Sequence, residues 1–435
     1  MILSLLLSSP LLAQEPAPQE PPALEPPPAE QQEPVVEVVE PPLPPDDAPR
    51  RLPPWRKPVA GPEPQPESFL DQVQFGLTLD LFGAFTEKHD SVDEFNEVRI
   101  RSAQFHFAAP VEGVGRAHVT FDYSDPGDGS DFFLREAYVR VDELPIGFWP
   151  ESMDFFVGQY FADLGAFNGV LPNEFPAPSL SGAQRTFLGG NLAARGVELH
   201  QRLDDGAFRF RWSAGLASEL ESHDPDASGN GIAPTDPELA EFGRFGFQNW
   251  SGTGRVEGQM DFDCGVMARV GASGLWTPRD VRFSVQPGTG TVRDEARHLL
   301  WGLDGGVRWE VPHSEMAHEV SLELWVDDNE YRTAFPGPLV GETERGETLL
   351  YEFTLNRRWS AGALFSRFDQ PSPGLDVDGH FHEGWITYAF SHASRFSLFM
   401  THTNPAPGEE KWYTVGGEWV FDLGTRREQP HRRWM

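Results

Sequence analysis

From residue 68 onward, apolar side chains recur at every second position in one segment after another. Val73, Phe75, Leu77, Leu79 and Leu81 alternate with Gln74, Gly76, Thr78 and Asp80. Ala117, Val119, Phe121 and Tyr123 alternate with Arg116, His118, Thr120 and Asp122. Phe208, Phe210 and Trp212 do the same against Arg209, Arg211 and Ser213, and Val320, Leu322, Leu324 and Val326 against Ser321, Glu323 and Asp327. A period of two is that of an extended strand, whose successive side chains point to opposite faces. Most segments reach the roughly 9–11 residues that a tilted strand needs to cross a bilayer, whereas strands of soluble sheets average about 5–6. One face is apolar and the other charged, and several apolar rows begin or end in Trp, Tyr or Phe, as a transmembrane barrel requires.

The pattern predicts strands near 73–85, 97–108, 115–124, 132–142, 153–160, 194–203, 207–218, 253–262, 264–276, 298–310, 318–331, 347–356, 358–368, 381–390, 394–403 and 412–423. The fold class expected is all-β: a closed antiparallel transmembrane β-barrel of about 16 strands with a disordered N-terminal Pro-rich arm. Every second connection is short, as in barrels with tight turns on one side and long loops on the other. Asp205-Gly206 is a tight hairpin signal. Closure satisfies every backbone group and leaves no sheet edge.

The expected organisation has four parts. Residues 1–13 (MILSLLLSSPLLA) read as the apolar part of a secretory signal, without a preceding Lys or Arg. Residues 14–66 are Pro- and Glu-rich, cannot bury enough apolar surface to fold, and read as a periplasmic linker or a partner-binding Pro tract. The barrel spans 67–425, and 426–435 form a periplasmic tail. Acids outnumber bases 67 to 34, for a net charge of −33, which argues against a nucleic-acid partner. The single cysteine, Cys264, cannot form an internal disulfide. No nucleophile–base constellation, GxSxG or HExxH occurs, so no enzyme activity and no cofactor are expected.

Several ordered pieces carry a resemblance: LREAYVRVDELP (134–145), FFVGQYFADLGAFN (155–168), FLGGNLAARGVEL (187–199), LLYEFTLNRRWSAGALFSRFDQP (349–371), SRFSLFMTHTNP (394–405) and VGGEWVFDLGTRREQPH (415–431). Over roughly residues 70–431 the chain resembles the phosphate-selective porin O/P-like outer-membrane barrels. It is similar above all to a related group of outer-membrane proteins, some labelled zinc-regulated TonB-dependent receptors. Two features depart from these groups. Phosphate-selective members line the pore with lysines, and this chain has only Lys57, Lys88 and Lys411. TonB-dependent receptors carry a plug domain and about 22 strands. The resemblance implies that the third long loop, 161–193, folds inward and narrows the pore; the alternative is an ordered external cap.

The candidate constriction residues are Asp163, Asn168, Asn173, Glu174 and Arg185. Alternation places Arg116, Asp122, Arg209, Arg211, Asp304, Arg308, Glu323, Asp327, Glu352 and Glu418 on the pore wall. A wall of both signs, slightly acidic, fits either an open aqueous lumen that sorts solutes or a salt-bridged one. No metal site is expected; the weak candidates are His380 and His382, which share a strand face, and Asp224 and Asp226 in an acidic loop. The expected function is an outer-membrane channel for passive diffusion of small hydrophilic solutes, weakly cation-preferring, in contact with lipid and lipopolysaccharide and compatible with a homotrimer. A structural or adhesive barrel and a metal-linked uptake protein are the alternatives.

Overall fold

The structure is a computed structural model that describes residues 72–88, 94–111, 115–124, 131–142, 153–223, 250–262, 264–286, 290–312, 314–332, 339–356, 358–369, 378–404 and 411–424. Residues 1–66, read above as a signal and a Pro-rich linker, Asp224, Asp226 and residues 426–435 lie outside the described residues. The chain divides into Met1–Pro64 and Gln65–Met435, and the second unit holds the barrel.

Sixteen strands close into one antiparallel barrel. In chain order they are β1 Gln74–Lys88, β2 Glu94–Val111, β3 Gly115–Ser124, β4 Asp131–Val141, β5 Met153–Phe161, β6 Asn191–Asp205, β7 Phe208–His223 and β8 Ser251–Phe262. Then come β9 Val266–Gln286, β10 Gly290–Glu310, β11 Ala317–Arg332, β12 Leu339–Thr354, β13 Trp359–Asp369, β14 Asp378–Ser391, β15 Ser394–Asn404 and β16 Trp412–Gly424. Each strand pairs with its sequence neighbours. Closure comes from β1 on β16, in a register running from Gly76↔Gly424 to Lys88↔Trp412. The start of β1 and the end of β16 therefore share one rim, which also carries the tight turns at Gly206 and His392. The opposite rim carries the two longest connections, 162–190 and 224–250.

The largest departure from the expected strands is at 277–297, anticipated as a loop. There β9 and β10 run on as a paired ribbon, from Thr277↔His298 to Gln286↔Gly290. Its sequence, TPRDVRFSVQ and GTVRDEAR, has no clean apolar face, and the antiparallel backbone ladder continues through it.

The two faces of the sheet differ in kind. Val270, Leu322, Ile386, Leu398 and Met400 point outward and are exposed, along with most of the large apolar side chains on that face. An apolar belt of this extent is far more than a water-soluble surface leaves bare. Aromatic pairs edge it at the short-turn rim: Phe75–Phe107 with centroids 5.2 Å apart, Trp359–Tyr388 at 4.7 Å and Phe390–Trp419 at 5.8 Å. Phe85, Phe132, Trp276, Trp301 and Tyr413 edge the other side. On β10 the two edges are Trp301 and Trp309, about the 9–11 residues that span a bilayer. The hydrophobic core sits inside the barrel, where connection 162–190 meets inward aromatic side chains.

Candidate functional site

Inside the barrel, β5 does not turn directly into β6. The chain dips into the lumen as loop 162–190, which contains a 3-10 turn at Pro172–Glu174 and one short helix, α1 (Gly182–Leu188). Ser181 caps α1, its Oγ accepting from the Gln184 N–H at 3.0 Å. Gly189 ends the helix in the left-handed conformation. Ala162, Leu164, Phe167, Phe175, Leu180, Phe187 and Leu188 of the loop are buried together with Phe82, Tyr138, Phe156, Trp325, Phe368, Phe381, Trp385 and Phe399 of the wall.

Polar anchors tie the loop around the circumference. On one side, the Gly165 N–H donates to Ser273 Oγ at 2.9 Å and the Ala166 N–H to Glu323 Oε1 at 2.7 Å. The Ala183 N–H donates to Ser366 Oγ at 2.9 Å. Arg101 Nη1 donates to the Pro178 carbonyl at 2.5 Å, and Arg395 Nη2 to that of Asn173 at 2.7 Å. Anchors thus come from β2, β9, β11, β13 and β15, and further ones from β6 and β7 through Asp163. At two points only glycine fits. Gly165 lies at φ +60°, where a Cβ would collide with Glu323 Oε1 and Trp325; a Cβ on wall residue Gly346 would press on Phe187 and on Ala183, at 2.9 Å.

The five candidate constriction residues all lie in this loop, and the structure gives each a partner or a packed place. Asp163 accepts from Ser213 Oγ at 2.8 Å and Arg211 Nη2 at 3.1 Å, with Arg255 Nε 3.8 Å away. Asn168 Nδ2 donates to the Ala162 and Leu192 carbonyls, at 2.7 and 2.9 Å, and its Oδ1 accepts from the Leu192 N–H at 2.6 Å. Asn173 pairs with Gln104 on β2 at 3.2 Å. Glu174 Oε2 accepts from the Leu171 N–H at 3.2 Å. Arg185 is buried within α1.

The wall is laced with ion pairs. Arg101 Nε donates to Asp80 Oδ2 at 2.7 Å, its Nη2 pairs with Glu418, and its guanidinium lies 5.2 Å from the Phe82 ring centre. Arg135 pairs with Asp122, which also accepts from Ser102 Oγ at 2.7 Å. Arg255 donates to both Asp304 oxygens, at 2.5 and 2.8 Å, and to Glu257 at 2.8 Å. Among the described residues, thirteen Asp and Glu side chains of wall and loop are buried against seven Arg. A bidentate Arg between carboxylates is the arrangement that repays burial of charge.

Of the ten wall residues expected from alternation, Asp122, Arg211, Asp304, Glu323, Asp327 and Glu418 are buried inside at or near the loop. Arg116 and Glu352 are half-buried toward the short-turn rim. Arg209 is an exposed partner of Asp261 there, and Arg308 reaches Glu310 at 3.4 Å. Arg101, Arg135, Arg255 and Arg269 were not anticipated. Register shifts at Asp80/Leu81 and Thr120/Phe121 explain the first two: each β-bulge brings consecutive residues inward, Arg101 with Ser102 and Arg135 with Glu136. On β8 the outward row is Gly252, Gly254, Val256 and Gly258, too poor in apolar residues to advertise Arg255.

His380 and His382 face outward, and register sets His402 of β15 directly beside His382. The rings stack nearly parallel, with centroids 6.4 and 5.9 Å apart. A shared metal would need nitrogens about 2.0–2.1 Å from it, and among the described residues no group of three such side chains is set to hold an ion.

No family model and no curated protein matches the chain. Solved structures do. The Vibrio cholerae outer membrane protein OmpT, in-vitro folded in a trimer form, is 10% identical at a TM-score of 0.49, covering 81% of this chain and 100% of that one. The outer membrane channel DcaP of Acinetobacter baumannii is 8% identical at 0.47, covering 81% and 98%. Salmonella typhi OmpF, in complex with daunomycin, is 11% identical at 0.44, covering 82% and 99%.

Proposed function

We propose that the chain is an outer-membrane channel for passive diffusion of small hydrophilic solutes, weakly cation-preferring, with flux set by loop 162–190. The observation that carries this reading is the barrel's double character. A closed antiparallel sheet with an outward apolar belt and an inward wall rich in charge belongs across a bilayer with a polar lumen. The excess of buried carboxylates over arginines supports the cation preference. The long-loop rim faces the cell exterior, and the start of β1 and the end of β16 face the periplasm. In this reading the barrel is an outer-membrane protein without enzyme activity, in contact with lipid and lipopolysaccharide and compatible with a homotrimer.

The constriction is formed by Asp163, Asn168, Asn173, Glu174 and Arg185, held in place by the wall. A second reading, a structural barrel without transport, draws on one observation: loop and wall side chains pack together across the lumen. Single-channel recording of the reconstituted chain and of a loop-shortened variant tests both. The channel reading expects conductance from the full chain and a larger one from the shortened loop. Silence from both, with heat-modifiable folding intact, would leave the structural reading.

A further inference from the structure

Strand ladders do not close the wall at every height. β4 pairs with β3 up to Ser124↔Asp131, but its ladder with β5 runs only from Val141↔Phe155 to Ala137↔Gln159. β5 stays on β6 as far as Phe161↔Ala193. β5 leaves β4 at Gly158, φ +133°, where a Cβ would fall on the Ala137 carbonyl. Toward the long-loop rim from there, side-chain amides and loop 162–190 complete the wall between β4 and β6. Gln159 Nε2 donates to the Leu134 and Arg135 carbonyls, at 2.7 and 3.0 Å, and its Oε1 accepts from Arg195 Nε at 2.7 Å. On the β6 side Asn168 stands in for a strand, bonding both the N–H and the carbonyl of Leu192. Asn191 Nδ2 donates to the Val170 carbonyl at 3.0 Å.

Val170 and Leu171 carry the loop through this slot. Val170 packs on the interior cluster, whereas Leu171 packs with Phe161 and Ala193, whose parity is opposite to that of inward Tyr160 and Ala194. Successive side chains thus lie on the two sides of the wall, as in a strand, but side-chain amides hold them instead of a continuous backbone ladder. Phe132, at the edge of the lipid-facing belt, is the second residue of β4, so the slot lies in the long-loop half of that belt. Irregular backbone is tolerated at this depth only where protein covers it or where it lines a cavity.

We infer that this slot is a lateral portal, through which an uncharged amphiphile with one hydrocarbon chain passes between the lumen and the outer leaflet. The inference rests on the membrane reading above and adds a second route to it. Displacing Asn168–Leu171 and turning the Gln159 amide opens the wall here at the cost of a few side-chain hydrogen bonds, each of modest net strength. Where strands pair along their whole length, an opening would break a run of backbone bonds. The surroundings fix the class of solute. The lipid belt lies outside, and inside Tyr138 and Phe156 present rings with centroids 5.5 Å apart, surfaces suited to a hydrocarbon chain. The Tyr160 hydroxyl is buried on the inward face beside Phe161 and has no hydrogen-bond partner among the described residues. It can donate to the oxygen of a polar head. Glu198 lies within electrostatic reach of it, which suits an alcohol or ester oxygen and disfavours a carboxylate.

The test places the full chain in phosphatidylcholine vesicles containing a diazirine derivative of hexadecanol, with photolabelled residues located by mass spectrometry. Lipid contact alone labels outward Phe132, Leu134 and Val157. A portal adds label on inward Tyr138, Phe156 or Tyr160. Gln159→Ala/Leu171→Gly should raise the inward label about tenfold. Leu171→Cys/Ala193→Cys, built with Cys264→Ser, should lose the inward label on oxidation and regain it on reduction. A water-soluble diazirine derivative of butanol should label the lumen equally in both redox states. Label confined to outward residues in the native and opened chains overturns the inference, as does inward label that the cross-link leaves unchanged. If the cysteines do not join, the opened variant decides alone. Potassium chloride conductance of the same vesicles reports the channel reading separately. Conductance without inward label sinks the portal only, and inward label without conductance sinks the hydrophilic channel only. A chain that does not insert sinks the membrane reading itself.

Discussion

At the scale of single residues, the two faces of a strand make opposite demands. Leu322 faces outward and Glu323 inward, where it accepts the Ala166 N–H at 2.7 Å. Leu322→Arg should cost about 2–4 kcal/mol of barrel stability near the midplane, measured by denaturant titration in liposomes. Arg101→Leu should cost about 3–5 kcal/mol in the same assay, because Asp80 and Glu418 would be left buried and facing each other. A cost below 1 kcal/mol would mean that water reaches that pair. Alternation sets Asp80, Asp122, Asp304, Glu323 and Glu418 on the face opposite the apolar rows, and these side chains are buried. It failed where a bulge changed the parity, at Arg101 and Arg135, and where glycines diluted the outward row beside Arg255. Trp325 shares the inward parity of Glu323 and Asp327, as Trp385 shares that of Glu383. Large aromatic rings on the wet face of a barrel strand signal that something packs there, and that signal was legible in the sequence.

The elements add what parity cannot. Most of the sixteen strands lie close to their expected positions because they carry a lipid-facing row; β8, with glycines on that face, is the weakest of them. The β9–β10 ribbon extends beyond the belt, so no such row marks it. The path of loop 162–190 is set by partners more than a hundred residues away, such as Ser273, Glu323 and Ser366, and short-range pattern has no access to them. Its helix α1 has only seven residues, too few to be stable alone, so its cap and its seat decide its place. Ser181→Ala should loosen it by about 1 kcal/mol. Gly346→Leu should have a larger effect by pushing against Phe187 and Ala183. Limited proteolysis should cut the loop faster in both variants while the barrel remains resistant, and unchanged cleavage in Gly346→Leu would show that α1 does not sit on β12. Deleting 14–66 behind the signal should leave a heat-modifiable barrel, since Pro-rich acidic sequence buries little apolar area.

For the whole molecule the central claim is a water-filled path through a predominantly acidic interior. Thirteen buried carboxylates against seven arginines should enrich cations in the lumen, and the preference should fade as salt rises because screening lengths fall below about 10 Å above 0.1 M. Composition alone pointed to this sign, but the pairing that tempers it, Arg101, Arg135 and Arg255 each between or beside acids, required the closed barrel. The reversal potential of the reconstituted chain across a potassium chloride gradient tests the claim most directly. The account predicts a modest cation-selective potential at low salt, larger when Arg209 and Arg211 are both changed to Gln and smaller when Glu323 and Asp327 are changed to Gln and Asn. A clearly anion-selective potential at low salt would contradict it.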